Sequence, residues 1–465
     1  MPMKDHGPFL REIGDKYGEI FTLKFGRTYW VVLNSRRAVN ELLVKRAAIY
    51  SSRGSHMAHS IISGEKRMLL MPYGDMWRRQ RRVMHQLLNS SQKPVFRAFQ
   101  DLESKALMAD LLEKPERWYL SVARFSNSVI MSVVFGRRTA LGDPDISALH
   151  RAQEEFVPFT MPGASLVDSF PVLANIPYLK GLQPWRRKGD EINRRTTSTF
   201  TRLMEDLKRR IDQGFANACF MTKLLESSAK KEDFTAEEMA YIAGTLIEAG
   251  TDTTRTSLLE LVAGTAMYPE WIPRARAELD SVCGHNADRL PEFDDRDRLP
   301  MIKAAIKESV RWRPSTAQTG VPHALTAEDE FEGYHIPAGT IVTWNHWAIS
   351  HSEAEYKNAE QFYPERFLDE DLDDIVKGHY GFGAGRRLCV GYNVAEGNLF
   401  IAIARLIYCF DIEQEFSHPV VVDKPFPVSA EVEPFKTIIK PRSEAHRRLI
   451  ERECHSGVKF SSGAP

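Results

Sequence analysis

Two hydrophobic periods divide the chain. Near the N-terminus apolar residues alternate or run briefly over 20–25 and 29–33 around Gly26, the pattern of a two-stranded hairpin. Ahead of it, the first 18 residues end in K-Y-G, a short helix with a glycine stop. Beyond residue 72 the period becomes helical. Asp75 is placed to cap a helix with Trp77 and Arg81 four residues apart on one face. The stretch 102–214 reads as mainly helical, interrupted by prolines at 158, 162, 171, 177 and 184. A capping box, Thr235-Ala-Glu-Glu238, opens a pattern that persists to Met267 and stops before Pro269. Such a helix of about 33 residues spans roughly 50 Å, enough to cross a whole domain. Further helices are predicted over 300–312 and 393–410, the second carrying Val394, Leu399, Ile401, Ile403, Leu406 and Ile407. Between them, I-P-A-G at 336–339 marks a turn between strands.

Two stretches lack a period. Residues 50–72 are rich in Ser, Gly and Met and read as a long loop with a short helix in it; long ordered loops in compact domains are often functional. From about Ser443 the chain is polar and reads as a loosely held tail, 443–465.

Composition narrows the class. With 465 residues, 43% of them hydrophobic, and no linker-like tract, the chain reads as one large, mainly α unit. Sixty-two basic residues balance sixty-two acidic ones, so bulk charge does not point to nucleic acid. Five widely spaced cysteines argue against a disulfide framework and for a reducing compartment, and the lack of a C-x-x-C pair argues against structural zinc. No stretch approaches the roughly 20 apolar residues needed to span a bilayer.

Candidate chemistry concentrates at F-G-A-G-R-R-L-C-V-G, residues 382–391. A lone intracellular cysteine is most often inert, but a packed core cysteine needs no glycine cage. Cys389 sits among Gly383, Gly385 and Gly391, which let backbone turn tightly and approach a flat group closely. It also lies just before a helix N-terminus, where free N–H groups and the dipole favour a thiolate, and Arg387 stands two residues upstream. A thiolate so placed is suited to ligate haem iron. A second cluster, A-G-T-D-T-T at 249–254, puts poor helix formers in mid-helix. Hydroxyls there can bond back to the carbonyl four residues earlier and open a groove, and a kink without chemistry is equally consistent with the hexapeptide.

F-x-x-G-x-R-x-C-x-G, here Phe382, Gly385, Arg387, Cys389 and Gly391, resembles the haem-binding signature of the cytochrome P450 family. Val390 departs from it, since many microsomal members have proline after the cysteine. The other motifs follow in the family's order across nearly the whole chain, and the wording around them resembles fungal microsomal members of secondary metabolism. The resemblance implies the P450 fold: one domain over 1–465, a helical bundle around buried haem, with 1–70 and 315–345 giving a small β-rich part. It implies Cys389 as iron ligand; Trp77, Arg81 and His323 as donors to the haem propionates; and Phe382 and Arg387 in the haem loop. Thr253 would steady oxygen and ordered water, Asp252 would gate proton delivery, and Gly250 would leave room for the oxygen. Glu308, Arg311 and Arg366 of Y-P-E-R-F would form a buried structural cluster. Substrate would be lined by Ile61, Ile62 and Leu70 with His59, by Leu246 and Ala249, by Ala317 within 315–321, and by Phe426. The segment 157–173 would shape the substrate channel.

The activity so implied is monooxygenation of an apolar small molecule with O2 and electrons from an NADPH-dependent flavin reductase, for which Arg78, Arg79 and Arg82 offer a basic docking face. The alternatives are a haem-thiolate enzyme of oxidative coupling or ring formation, a rearrangement enzyme that uses no O2, and a haem sensor without turnover. Family members usually begin with a membrane helix and a proline-rich hinge. Our expectation is therefore a monomer whose parent is anchored at the cytosolic face of the endoplasmic reticulum, the anchor being absent from this chain.

Overall fold

The computed structural model describes residues 5–54, 57–160, 184–228, 234–314, 318–421 and 433–454. The fold is built on the 32-residue helix Ala236–Met267, which begins with the expected capping box. Glu238 N–H donates to Thr235 Oγ1 at 3.2 Å, and the Glu238 carboxylate accepts from Thr235 N–H at 2.7 Å. Buried residues occur all round this helix from Ala240 to Thr265, as they must in one enclosed by other helices. Its neighbours are helices Trp118–Phe135, Pro184–Asp212, Pro300–Arg311 and Tyr392–Cys409. Trp118–Phe135 is itself buried along nearly its whole length.

The hairpin forms as read: Ile20–Phe25 pairs antiparallel with Thr28–Leu33, Phe21 opposite Val32. Strand Ile341–Trp344 joins parallel to Thr28–Leu33, and His323–Ala324 pairs antiparallel on its other side, His323 opposite Val342. N-terminal and late segments thus share one sheet. The chain from Ser51 onward leaves its edge, bridged at Ser52 to Ala324.

Local expectations needed three corrections. Asp75 is not the cap but the first helical residue of Asp75–Leu88; Gly74 holds the cap position, and the Asp75 carboxylate pairs with Arg78 at 2.9 Å, still at the positive helix end. Pro158 lies inside helix Pro144–Thr160 instead of ending one, while Pro184 is the first described residue of helix Pro184–Asp212. Residues 444–454 are no loose tail: helix Glu444–Cys454 buries His446, Leu449, Ile450 and Cys454 against helix Lys93–Glu113. Its apolar stripe is narrow and its other faces are charged, which hid it. Residues 455–465 and 161–183 lie outside the described residues.

Behind the cysteine loop sits an ionic cluster. The Glu308 carboxylate, fully buried, accepts from Arg311 Nε and Nη2 at 2.7 and 2.8 Å, from Arg366 Nε at 3.3 Å and from Tyr363 N–H at 2.7 Å. Arg311 Nη1 donates onward to the carbonyls of Ser350 and Ala359 at 2.6 and 2.8 Å. One carboxylate therefore ties helix Pro300–Arg311 to the segment 350–363. Replacing it would strand two buried guanidinium groups, so Glu308→Leu should destabilise the fold by about 3–5 kcal/mol, read as a lowered urea midpoint.

Two histidines away from the cysteine loop's sulfur set an acid limit. Burial holds the rings of His351 and His379 well below their ordinary 6.5, helped by nearby cations. Both are neutral in the folded chain and take up a proton on unfolding below that value. Their contribution is therefore complete above about pH 6.5 and lost as pH falls further, with a slope of about 1.4 kcal/mol per pH unit for each. Urea titrations from pH 8 to pH 5 should show this fall, and His379→Gln should flatten it.

Candidate functional site

Cys389 ends a loop closed by its own backbone: Cys389 N–H donates to Phe382 O at 2.8 Å, Gly383 N–H to Tyr380 O at 2.9 Å and Leu388 N–H to Gly385 O at 3.2 Å. Gly385 adopts φ +61°, and a Cβ there would stand 2.0 Å from Leu43 O, so no other residue fits. Helix Tyr392–Cys409 follows with Gly391 at its cap. Burial pushes the Cys389 thiol up from its ordinary value, against the downward pull of the Gly391 N–H and Arg81. The helix end alone thus does not make a thiolate. A bound metal ion would, because it deprotonates a coordinating thiol outright.

Beside the loop lies a group of cations with no carboxylate among the described residues to answer them. Arg387 donates to the carbonyls of Ser51 and Met71 at 2.8 and 2.7 Å, and its guanidinium lies 4.3 Å from the Trp77 ring centroid. Arg53, buried, donates to the carbonyls of Leu69, Val321 and Pro322 at 3.0, 2.6 and 2.8 Å. Arg81 donates to Leu388 O. His323 Nδ1 meets Tyr50 O at 2.7 Å, while its Nε2 is buried without a partner. Burial and mutual repulsion press the charged forms down. Arg387 is lowered to about 9 by burial and Arg81; Arg53 falls well below its usual value by burial and Arg387; His323 is lowered by burial, then Arg53 and Arg387.

On the central helix the hydroxyls bond back as the hexapeptide suggested. Thr251 donates to Ile247 O and Thr253 to Ala249 O, both at 2.8 Å. Ser126, from helix Trp118–Phe135, reaches across to the carbonyls of Gly250 and Thr251 at 3.0 and 2.6 Å. Ala249 and Thr253 are exposed where the flanking Ile247, Thr251, Asp252 and Thr254 are buried, so one narrow stripe of this helix faces open space. Thr254 Oγ1 accepts from Asn398 Nδ2 at 3.4 Å, joining this helix to the one that follows Cys389. The Asp252 carboxylate points elsewhere, to Arg255 at 2.6 Å, and is not hydrogen-bonded to Thr253.

The family model for cytochrome P450 matches residues 4–438. The chain belongs to the cytochrome P450 family. It is 36% identical over 455 residues to cytochrome P450 monooxygenase polD of Polytolypa hystricis, covering 96% of this chain and 87% of that protein. It is 34% identical to cytochrome P450 monooxygenase fogE of Aspergillus ruber, with 96% and 85% covered. A zebra fish cytochrome P450 structure with abiraterone superposes with TM-score 0.75 over 94% of this chain and all of that one, at 22% identity, which shows the shared fold. The protein is accordingly a P450 monooxygenase, and haem iron is the cofactor of its family.

The residues of this P450 fit that group. Haem brings two carboxylates, and buried Arg53, half-buried Arg81 and Arg387 and the orphan Nε2 of His323 are donors that meet none among the described residues. Arg53 went unnoticed in the sequence, where a lone arginine after Y-S-S in a polar loop gives little signal. Other expectations shift. A Cβ on Gly250 would meet Ile130 Cγ1 at 2.5 Å, so this glycine admits the neighbouring helix; its missing side chain is not what clears the oxygen side. Ile62 and Leu70 are buried with Phe156 in a small cluster, and Leu246 is buried too; Ile61 is partly exposed and Ala249 exposed. Gln318 accepts from Gly7 N–H at 3.0 Å, which commits that end of the 315–321 segment to the N-terminal helix. Ala317, Phe426 and the side chain of His59 lie outside the described residues, as does 161–173 of the expected channel segment.

Gly250→Ala should therefore lower the thermal midpoint of the haem-loaded protein by several degrees, and adding Ile130→Ala should recover most of it. Spectroscopic binding of small ligands by the double variant should stay close to that of the parent.

Proposed function

We propose that this P450 is a haem-thiolate monooxygenase with Cys389 as the axial ligand, acting on an apolar small molecule of fungal secondary metabolism. The observation that carries the reading is the pairing of the closed Cys389 loop with clustered cations that meet backbone carbonyls but no carboxylate among the described residues. Haem supplies the oxygen chemistry when bound; the protein supplies position and protons. Arg53, Arg81, Arg387 and His323 would hold the propionates, each guanidinium already anchored by backbone carbonyls. Thr253 would hold a proton at its Oγ1 beside the open stripe, fixed by the bond to Ala249 O. Asp252 would supply protons to that side when its pair with Arg255 opens. The small residue Ala249 leaves space for a substrate carbon there.

Electrons would come from an NADPH-dependent flavin reductase. Arg78, Arg82 and Arg386 are exposed near the loop, a face suited to an acidic donor. No helix among the described residues is long and apolar enough to cross a membrane, so attachment to the endoplasmic reticulum would rest on a segment outside them.

Thr253→Ala tests the assignment. NADPH consumption should persist while product formed per NADPH falls at least about tenfold and hydrogen peroxide appears. In the parent enzyme, labelled O2 should place one labelled oxygen in the product. Product without label points to oxidative coupling or ring formation, and turnover without NADPH points to rearrangement.

A further inference from the structure

Arg67 is buried at 2% exposure and meets a single carboxylate. Its Nη2 donates to Glu248 Oε1 at 2.8 Å, and the guanidinium lies 3.9 Å from the Phe156 ring centroid. Nε and Nη1 are buried with no hydrogen-bond partner among the described residues. Each end of this pair has a telling address. Arg67 precedes Met68, whose carbonyl accepts from Arg387 at 3.4 Å, so the loop is pinned between the cation group and the central helix. Glu248 directly precedes Ala249, which with Thr253 forms the exposed stripe. One turn earlier, Thr245 Oγ1 is buried without a partner, although helical threonines usually bond back.

The two oxygens of Glu248 differ. Arg67 occupies Oε1, while Oε2 has no hydrogen-bond partner and is not closed off by protein; the side chain keeps 13% of its exposure. We propose that Glu248, held in place by Arg67, is a specificity-determining residue whose Oε2 accepts a hydrogen bond from a neutral hydroxyl or amide N–H of the substrate. This rests on the reading that the Ala249–Thr253 stripe borders the substrate. The charge pattern selects the class. An anionic group would meet the open carboxylate oxygen, because the spare N–H groups of Arg67 are sealed in. An ammonium would come close to the Arg67 cation. A neutral donor on an apolar frame has neither conflict, and a bond to a carboxylate away from water is among the stronger ones.

The test is ligand binding to the haem-loaded protein, followed by the shift of its Soret band, with matched pairs: biphenyl and para-phenylphenol, naphthalene and naphthol, bornane and borneol. The hydroxylated member of a pair should bind about tenfold tighter, the effect of one charge-assisted hydrogen bond. Glu248→Leu should reduce that preference to within about twofold, and Glu248→Gln, which keeps the volume if the leucine variant fails to fold, should reduce it at least about threefold. Equal binding of parents and alcohols by the wild type, an unchanged preference in both variants, tighter binding of biphenyl carboxylate than of the phenol, or no binding of any alcohol would each overturn the proposal. All are scored on protein whose reduced carbon monoxide spectrum is that of the wild type. Loss of that spectrum in the wild type itself would instead remove the haem-thiolate reading.

Discussion

Clustered positive charge, buried or half-buried and without a carboxylate partner among the described residues, is the constraint on which the cysteine-loop region depends. Arg53, Arg81 and Arg387 converge beside the Cys389 loop with His323, and each finds backbone carbonyls but no carboxylate. Burying like charges together is unfavourable, and an anion bound among them relieves it. Arg53 spans three segments through Leu69, Val321 and Pro322, while Arg387 gathers Ser51, Met68 and Met71. The loop after the sheet, the strand that returns to it and the cysteine loop are thus tied together by cations whose hydrogen-bond partners among the described residues are backbone carbonyls. Glu308 does the opposite job behind the loop: its two arginines are answered within the protein, and that cluster needs no ligand.

The central helix meets a second constraint, since it must be enclosed and yet open at one place. Back-bonded hydroxyls at Thr251 and Thr253, and Ser126 reaching to the carbonyls of Gly250 and Thr251, satisfy its polar groups in the enclosed part. Gly250 lets helix Trp118–Phe135 approach closely on one side, through Ile130. On the other side Ala249 and Thr253 stay accessible. Glu248 stands at the edge of that opening, and its partner Arg67 comes from the loop that Arg387 fixes. The cation group and the edge of the open stripe are therefore linked through about one turn of chain, residues 67–71.

What was legible in the sequence follows from the range of the interactions. The capping box at Thr235, the glycine loop around Cys389 and the hairpin at Gly26 are local, and the residues that make them lie within a few positions of each other. Less visible were features made by one residue against a distant one: Gly250 against Ile130, Arg53 against the 321–322 carbonyls, Arg67 against Glu248. No spacing rule announces such pairs. The helix Glu444–Cys454 escaped for another reason, because four buried positions among charged residues average to a polar stretch. Cys389 itself shows a limit of local argument. Its place near a helix end suggested a thiolate, yet burial pushes the thiol up against the downward pull of the Gly391 N–H and Arg81.

The claim on which the rest stands is that Cys389 binds haem iron as a thiolate. It is tested most directly by the carbon monoxide difference spectrum of the dithionite-reduced protein. A Cys389 thiolate on the iron should give the red-shifted Soret band of a thiolate-ligated ferrous complex, abolished by Cys389→Ser. A band at the position typical of a neutral axial ligand in freshly prepared protein, or a red-shifted band that survives Cys389→Ser, would contradict it.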